Sequence, residues 1–110
     1  MNRIVISPLA KNDLLDIRKY IVTELENPVA AEKILTQIVK RISELKNFSH
    51  IGARLSSITK IETDYRYLVS GSYLIFYRSK EKTVYVDRIL YGKRDYLSIL
   101  FGDQVCGDLE

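Results

Sequence analysis

The sequence predicts an α+β fold in which a helical hairpin packs on one face of a mostly antiparallel sheet. Three observations carry that reading. The first half holds two amphipathic stretches whose apolar residues recur three and four apart. After residue 57 the alphabet changes to Tyr, Val, Ile and Leu, and short turn signals divide that second half into strand-length pieces.

Arg3 to Ser7 reads as a short strand with Ile4 and Ile6 on one face. Ser7-Pro8 then starts a helix, because serine can accept from an orphan N–H while proline at the first helical position forfeits no needed donor. Leu14, Ile17, Ile21 and Leu25 form its apolar stripe, and Asp13, Asp16, Arg18 and Lys19 fall between them. Asn27-Pro28 repeats the capping device, and Ala31, Ile34, Leu35, Ile38, Ile42 and Leu45 form a second stripe. The break at Glu26 to Asn27 folds the two helices into a hairpin. Asn47 to Ser57 keeps no period and reads as a connecting loop. Strands are expected at about Ile58 to Glu62, Tyr65 to Ser70, Tyr73 to Ser79 and Thr83 to Tyr91. Ser70-Gly71-Ser72 and Lys80-Glu81-Lys82 supply turns between them. Asp95 to Phe101 leaves room for a short C-terminal helix, so the main order reads β-α-α-β-β-β.

A chain of 110 residues with 46% hydrophobic and 28% charged residues suits one globular domain, expected over 1–101. Residues 102–110 carry three acids and no base and read as an acidic, flexible tail. Cys106 is the only cysteine, which excludes an internal disulfide and reads as an incidental thiol. No apolar run has membrane-spanning length and the start does not resemble a signal peptide, so a cytoplasmic protein without membrane contact is expected. The net charge of +3 is too small to announce a nucleic-acid partner. Its placement is uneven: Arg54 to Tyr96 holds nine basic and five acidic residues.

Several chemistries drop out for want of residues. There is no glycine-rich phosphate loop, no His/Cys cluster of zinc spacing and no Gly-x-Ser-x-Gly elbow, so neither a metal nor a cofactor is expected. His50, the only histidine, reads as an exposed loop residue with no acid within five positions. Glu62 and Asp64, two apart, would share one face of a strand, a weak hint of paired carboxylates. The main positive signal is arginine interleaved with tyrosine, a mixture suited to phosphates and bases but equally to a sheet with ion pairs. Alternation places Arg66, Leu68 and Ser70 opposite Tyr65, Tyr67 and Val69. In the next strand it places Tyr73, Ile75 and Tyr77 opposite Leu74, Phe76 and Arg78.

Three runs, Tyr65-Arg66-Tyr67-Leu68-Val69, Tyr73-Leu74-Ile75-Phe76-Tyr77-Arg78 and Val84 through Tyr91-Gly92-Lys93-Arg94-Asp95-Tyr96, resemble toxins of the RelE/ParE superfamily. These are the toxic halves of type II toxin-antitoxin modules. The likeness runs from Ile4 to about Phe101, because the opening strand, Ser7-Pro8 and the hairpin also fit the family's element order. RelE-like members cut messenger RNA on the ribosome, whereas ParE-like members inhibit DNA gyrase and serve plasmid stabilisation. Where the RelE-like pattern has an arginine after the leading residue of its third strand, this chain has Leu74. Where those nucleases place a late tyrosine or histidine, it has Ile99-Leu100-Phe101. Both departures draw the chain toward ParE. A third concerns ParE itself: many such chains have histidine before the Gly-x-Arg-Asp segment, and here that residue is Tyr91.

The resemblance thus implies a non-enzymatic toxin that arrests growth by binding DNA gyrase, with a target surface of Arg66, Arg78, Arg88, Tyr91, Arg94 and Tyr96 on the basic sheet side and the final turn. The alternative it implies is a ribosome-dependent mRNA endoribonuclease, with Arg66, Arg88 and Arg94 neutralising the phosphate and Tyr91 or His50 moving protons. A blander reading is an inactive module that only pairs with an antitoxin. In every case the expected partner is a cognate antitoxin, acidic or mixed in charge, bound as a helix or added strand in an apolar groove to form a hetero-oligomer.

Overall fold

The computed structural model describes residues 1–57, 62–93 and 96–101. Strand β1 (Arg3–Ile6) leads into α1 (Pro8–Thr23) and α2 (Pro28–Glu44). The short β2 (Ala53–Arg54) and a 3-10 turn (Leu55–Ser57) follow, then β3 (Arg66–Ser70), β4 (Tyr73–Lys80), β5 (Thr83–Tyr91) and α3 (Tyr96–Phe101). The sheet order is β1-β5-β4-β3-β2. Only β1 runs parallel to its neighbour, with Ile6 beside Val86; the other pairings are antiparallel. The α+β architecture, the hairpin and the final helix are as the sequence predicts.

Both helix starts are set locally. The Ser7 side chain accepts from the Ala10 N–H at 3.0 Å, and the Asn27 side chain accepts from the Ala30 N–H at 3.0 Å, each before a proline. Ser7 belongs to this cap and not to the strand, and its hydroxyl also donates to the Asp87 carbonyl at 2.8 Å. That bond ties the β1–α1 junction to β5. Lys80 and Thr83 pair around a two-residue turn in which Glu81 and Lys82 both have positive φ, 51° and 29°. The turn has the type I′ character that matches strand twist, made without glycine.

Between sheet and hairpin lies the main core, where Ile17, Ile21, Ile38, Ile42, Leu68 and Ile75 pack with Val84 and Val86. On the other face Phe76, Leu90 and Leu55 form a second cluster, covered by Tyr65, Tyr67 and α3. The hairpin therefore covers one face and a short helix the other. The predicted alternation in β3 and β4 holds.

Four expectations need correction or placement. The 47–57 segment is not all loop, because β2 pairs Ala53 with Tyr67 and Arg54 with Arg66. A buried tyrosine organises the turn before it: the Tyr77 hydroxyl donates to the Ser49 carbonyl at 2.9 Å and accepts from the Gly52 N–H at 3.0 Å. A strand at 58–62 falls mostly on 58–61, outside the described residues, while Glu62 and Asp64 lie outside any strand, so alternation does not pair their carboxylates. Residues 102–110 also lie outside the described residues. Finally, Asp13 is not on the solvent side of α1 but buried, at 7% exposure.

Candidate functional site

Strand β5 decides where the candidate side chains go. Phe76 pairs with Arg88 but Tyr77 pairs with Val86, so Asp87 is an extra residue in β5, a bulge. Val84, Val86 and Ile89 consequently belong to the hairpin-side core, whereas Leu90 belongs to the opposite cluster. Tyr91 packs its ring edge-on to Tyr73, itself on the hairpin side, with centroids 5.8 Å apart. Strict alternation from Val84 would have put Leu90 inward and Tyr91 outward.

The bulge is held from α1. Arg88 donates from Nε and Nη2 to the two Asp13 carboxylate oxygens, each at 2.8 Å, and the Ile89 N–H donates to Asp13 Oδ2 at 2.9 Å. This hydrogen bonding holds the Arg88 guanidinium above its ordinary pKa, against the opposing effect of burial. Asp13 escaped the sequence reading, although the signal was present: Ala10, Asp13, Ile17 and Ile21, all buried, repeat at three, four and four. A carboxylate on that stripe must find a partner.

Arg78 lies on the opposite face. Its Nε donates to Asp87 Oδ2 at 2.9 Å, its guanidinium carbon sits 5.1 Å from the Tyr65 ring centroid, and the Tyr65 hydroxyl donates to the same Asp87 oxygen at 2.8 Å. Burial, then the hydrogen bond to Asp87, pushes the Tyr65 phenol up to about 12. Burial works against the Arg78 charge, but Asp87 and Tyr65 outweigh it and its pKa is raised. Tyr96 packs on this side against Phe76, with centroids 5.3 Å apart. Arg66 is at the hairpin-side end of β3, donating from Nη1 to the Gly52 carbonyl at 2.8 Å and to the His50 carbonyl at 3.4 Å.

The six predicted residues therefore do not share one surface. Arg78 and Tyr96 occupy one face, Tyr91 and Arg66 the other, Arg88 is engaged by α1, and Arg94 lies outside the described residues. His50 is exposed, as expected, and among the described residues its imidazole has no ion pair or hydrogen bond. Among the described ones, no base, arginine and tyrosine converge on a point where a reacting phosphate would sit. What the hairpin side offers is a groove of about 700 Å³ between the two helices and the ends of β4 and β5. Its floor includes Ile17, Ile21 and Ile34, and its rim Tyr20, Tyr73 and Tyr91. A cleft of that size with an apolar floor is suited to binding. Among the described residues no group of side chains has the makings of a metal site, and no helix is long and apolar enough to cross a membrane.

A helical hairpin on a five-stranded mixed sheet, closed by a short helix on the far face, is a RelE/ParE-like fold. Ten chains among solved structures match it. One is described as the "Chromosomal ParDE TA system from P. aeruginosa", at TM-score 0.69 and 24% identity, covering 83% of this chain and 96% of that one. A model of the family described as "ParE toxin of type II toxin-antitoxin system, parDE" matches residues 4–96. The chain belongs to the ParE toxin family of type II toxin-antitoxin systems. No curated protein matches significantly.

Proposed function

We propose that this toxin arrests growth by binding and inhibiting DNA gyrase, without chemistry of its own, and that a cognate antitoxin neutralises it in the cytoplasm. The family match over residues 4–96 carries the reading. Arg66 pairs with Tyr77 and Tyr91 with Tyr73, four positions apart along β4, while Arg88 is engaged by Asp13; this separation supports binding over RNA cleavage, since general acid–base work needs its groups within reach of one reacting atom. The residues proposed to meet the target are divided between Arg66 and Tyr91 on the hairpin side and Arg78 and Tyr96 on the opposite face, with Arg88 held at β5 by Asp13. Arg94 enters through the family resemblance.

The antitoxin's place is the groove beneath the hairpin, where an amphipathic segment can bury apolar surface against Ile17 and Ile21 and cover Tyr91 at the same time. Neutralisation then follows from occlusion, and toxin and antitoxin form a hetero-oligomer.

The test is plasmid supercoiling by purified gyrase with ATP, adding the chain or its Arg94→Ala variant and denaturing the products so that trapped cleavage appears as linear DNA. Dose-dependent loss of supercoiling or gain of linear DNA, weakened by the substitution, is the expected result. A chain that arrests growth yet leaves gyrase untouched would refute the reading and direct attention to the ribosome.

A further inference from the structure

The groove carries a charge opposite to that of the chain. The sequence has a net charge of +3, yet the described residues lining the groove include two carboxylates, Asp13 and Asp16, and no lysine, arginine or histidine. Asp13 is engaged by Arg88 and Ile89. Asp16, three residues further along α1, is exposed and forms no ion pair with a described residue.

Three tyrosines frame it. Tyr20 follows Asp16 by four residues and so lies on the same side of the helix. Tyr73 and Tyr91 stand opposite on the sheet, in edge contact at 5.8 Å. Tyr20, Tyr73 and Tyr91 line the same groove as Asp16, and burial, then the Tyr91 and Tyr20 phenols, raises the Tyr73 phenol. An exposed carboxylate with no ion pair among the described residues, sharing a groove with aromatic rings and an apolar floor, is a receptor for a cation. The carboxylate attracts its charge, ring faces add cation–π attraction, and the floor accepts the methylene stem.

We infer that the antitoxin segment seated in this groove presents a lysine or arginine to Asp16 and the tyrosines, on an otherwise apolar face. This rests on the reading that the antitoxin occupies the groove. An acidic or wholly apolar segment would strip water from Asp16 with no compensating charge, whereas one basic side chain compensates and sets the segment's register. The +4 excess between Arg54 and Tyr96 points to an acidic partner; within the groove the preference is reversed.

The experiment is selection of amphipathic peptides from a displayed library on the full chain, with counter-selection on a Tyr20→Ala/Leu25→Asn variant. Tyr20 and Leu25 are 55% and 56% exposed, so this variant weakens the groove without opening the core. Groove-dependent peptides are expected to be enriched in lysine or arginine at one position. Asp16→Lys should weaken them about five- to tenfold, and selection on that variant should turn the same position acidic. Groove-dependent peptides with no basic preference, or with unchanged affinity for Asp16→Lys, would overturn the inference and leave the docking reading standing. Failure to recover any groove-dependent peptide would overturn both.

Discussion

The Asp13–Arg88 pair is the contact whose loss the structure prices most directly. It joins the first turns of α1 to the bulge in β5, 75 residues away, and Asp13 receives three hydrogen bonds there. Asp13→Ala strands a guanidinium whose side chain is only 20% exposed, together with the Ile89 N–H. Breaking such a pair from one side costs about 3–5 kcal/mol, a large part of the roughly 5–15 kcal/mol that stabilises a domain of this size. Replacing both partners, Asp13→Leu with Arg88→Met, removes both charges and leaves only the N–H unsatisfied, for about 1–3 kcal/mol. Urea unfolding followed by circular dichroism, at constant m-value, measures both variants together with the single changes Asp13→Leu and Arg88→Met. The double variant should be more stable than Asp13→Ala despite carrying more changes. A single-variant loss under about 1 kcal/mol, or a double loss equal to the sum of the singles, would refute the assignment of this pair as the clamp on β5.

The Tyr65 phenol, held at about 12, should ionise well after an ordinary tyrosine at about 10, and Asp87→Asn should bring it down; titration of ring carbons by NMR reads both. Because the folded pKa is raised, the associated stability is complete below pH 10 and is lost as the pH climbs toward 12, which denaturant unfolding across that window checks. Lys82→Gly relieves a positive φ of 29° in the β4–β5 turn and should raise stability by about 0.5–1 kcal/mol in the same unfolding assay, where a loss would argue against the turn. Gly52→Ala should cost about 1–3 kcal/mol, because a Cβ there would lie 2.6 Å from the Tyr77 hydroxyl and 2.7 Å from the Tyr67 carbonyl; thermal melts test it, and an unchanged midpoint would contradict the close approach.

Much of the fold is local and therefore legible in the chain. Ser7-Pro8 and Asn27-Pro28 place the helix starts because a cap and a proline act over three or four residues, and the stripes along α1 and α2 identify their buried sides. Alternation in β3 and β4 likewise assigns Leu68, Ile75 and Phe76 to their faces. The motif that joins Tyr65–Arg78 to Val84–Tyr96 was enough to indicate the toxin family. What tertiary structure alone decided is how the candidate residues are distributed. One extra residue, Asp87, reverses the parity of β5 beyond it, and no local property of Val84 to Tyr91 marks where that happens. The bulge is held by α1, where Asp13 meets Arg88 and Ile89, a contact between residues 75 and 76 positions apart. By turning Tyr91 toward Tyr73 it adds Tyr91 to the face that Arg66 occupies, opposite Arg78. It also builds on the hairpin side an aromatic groove whose described charged residues are acidic, a property that exists only once the helix and the strand ends meet.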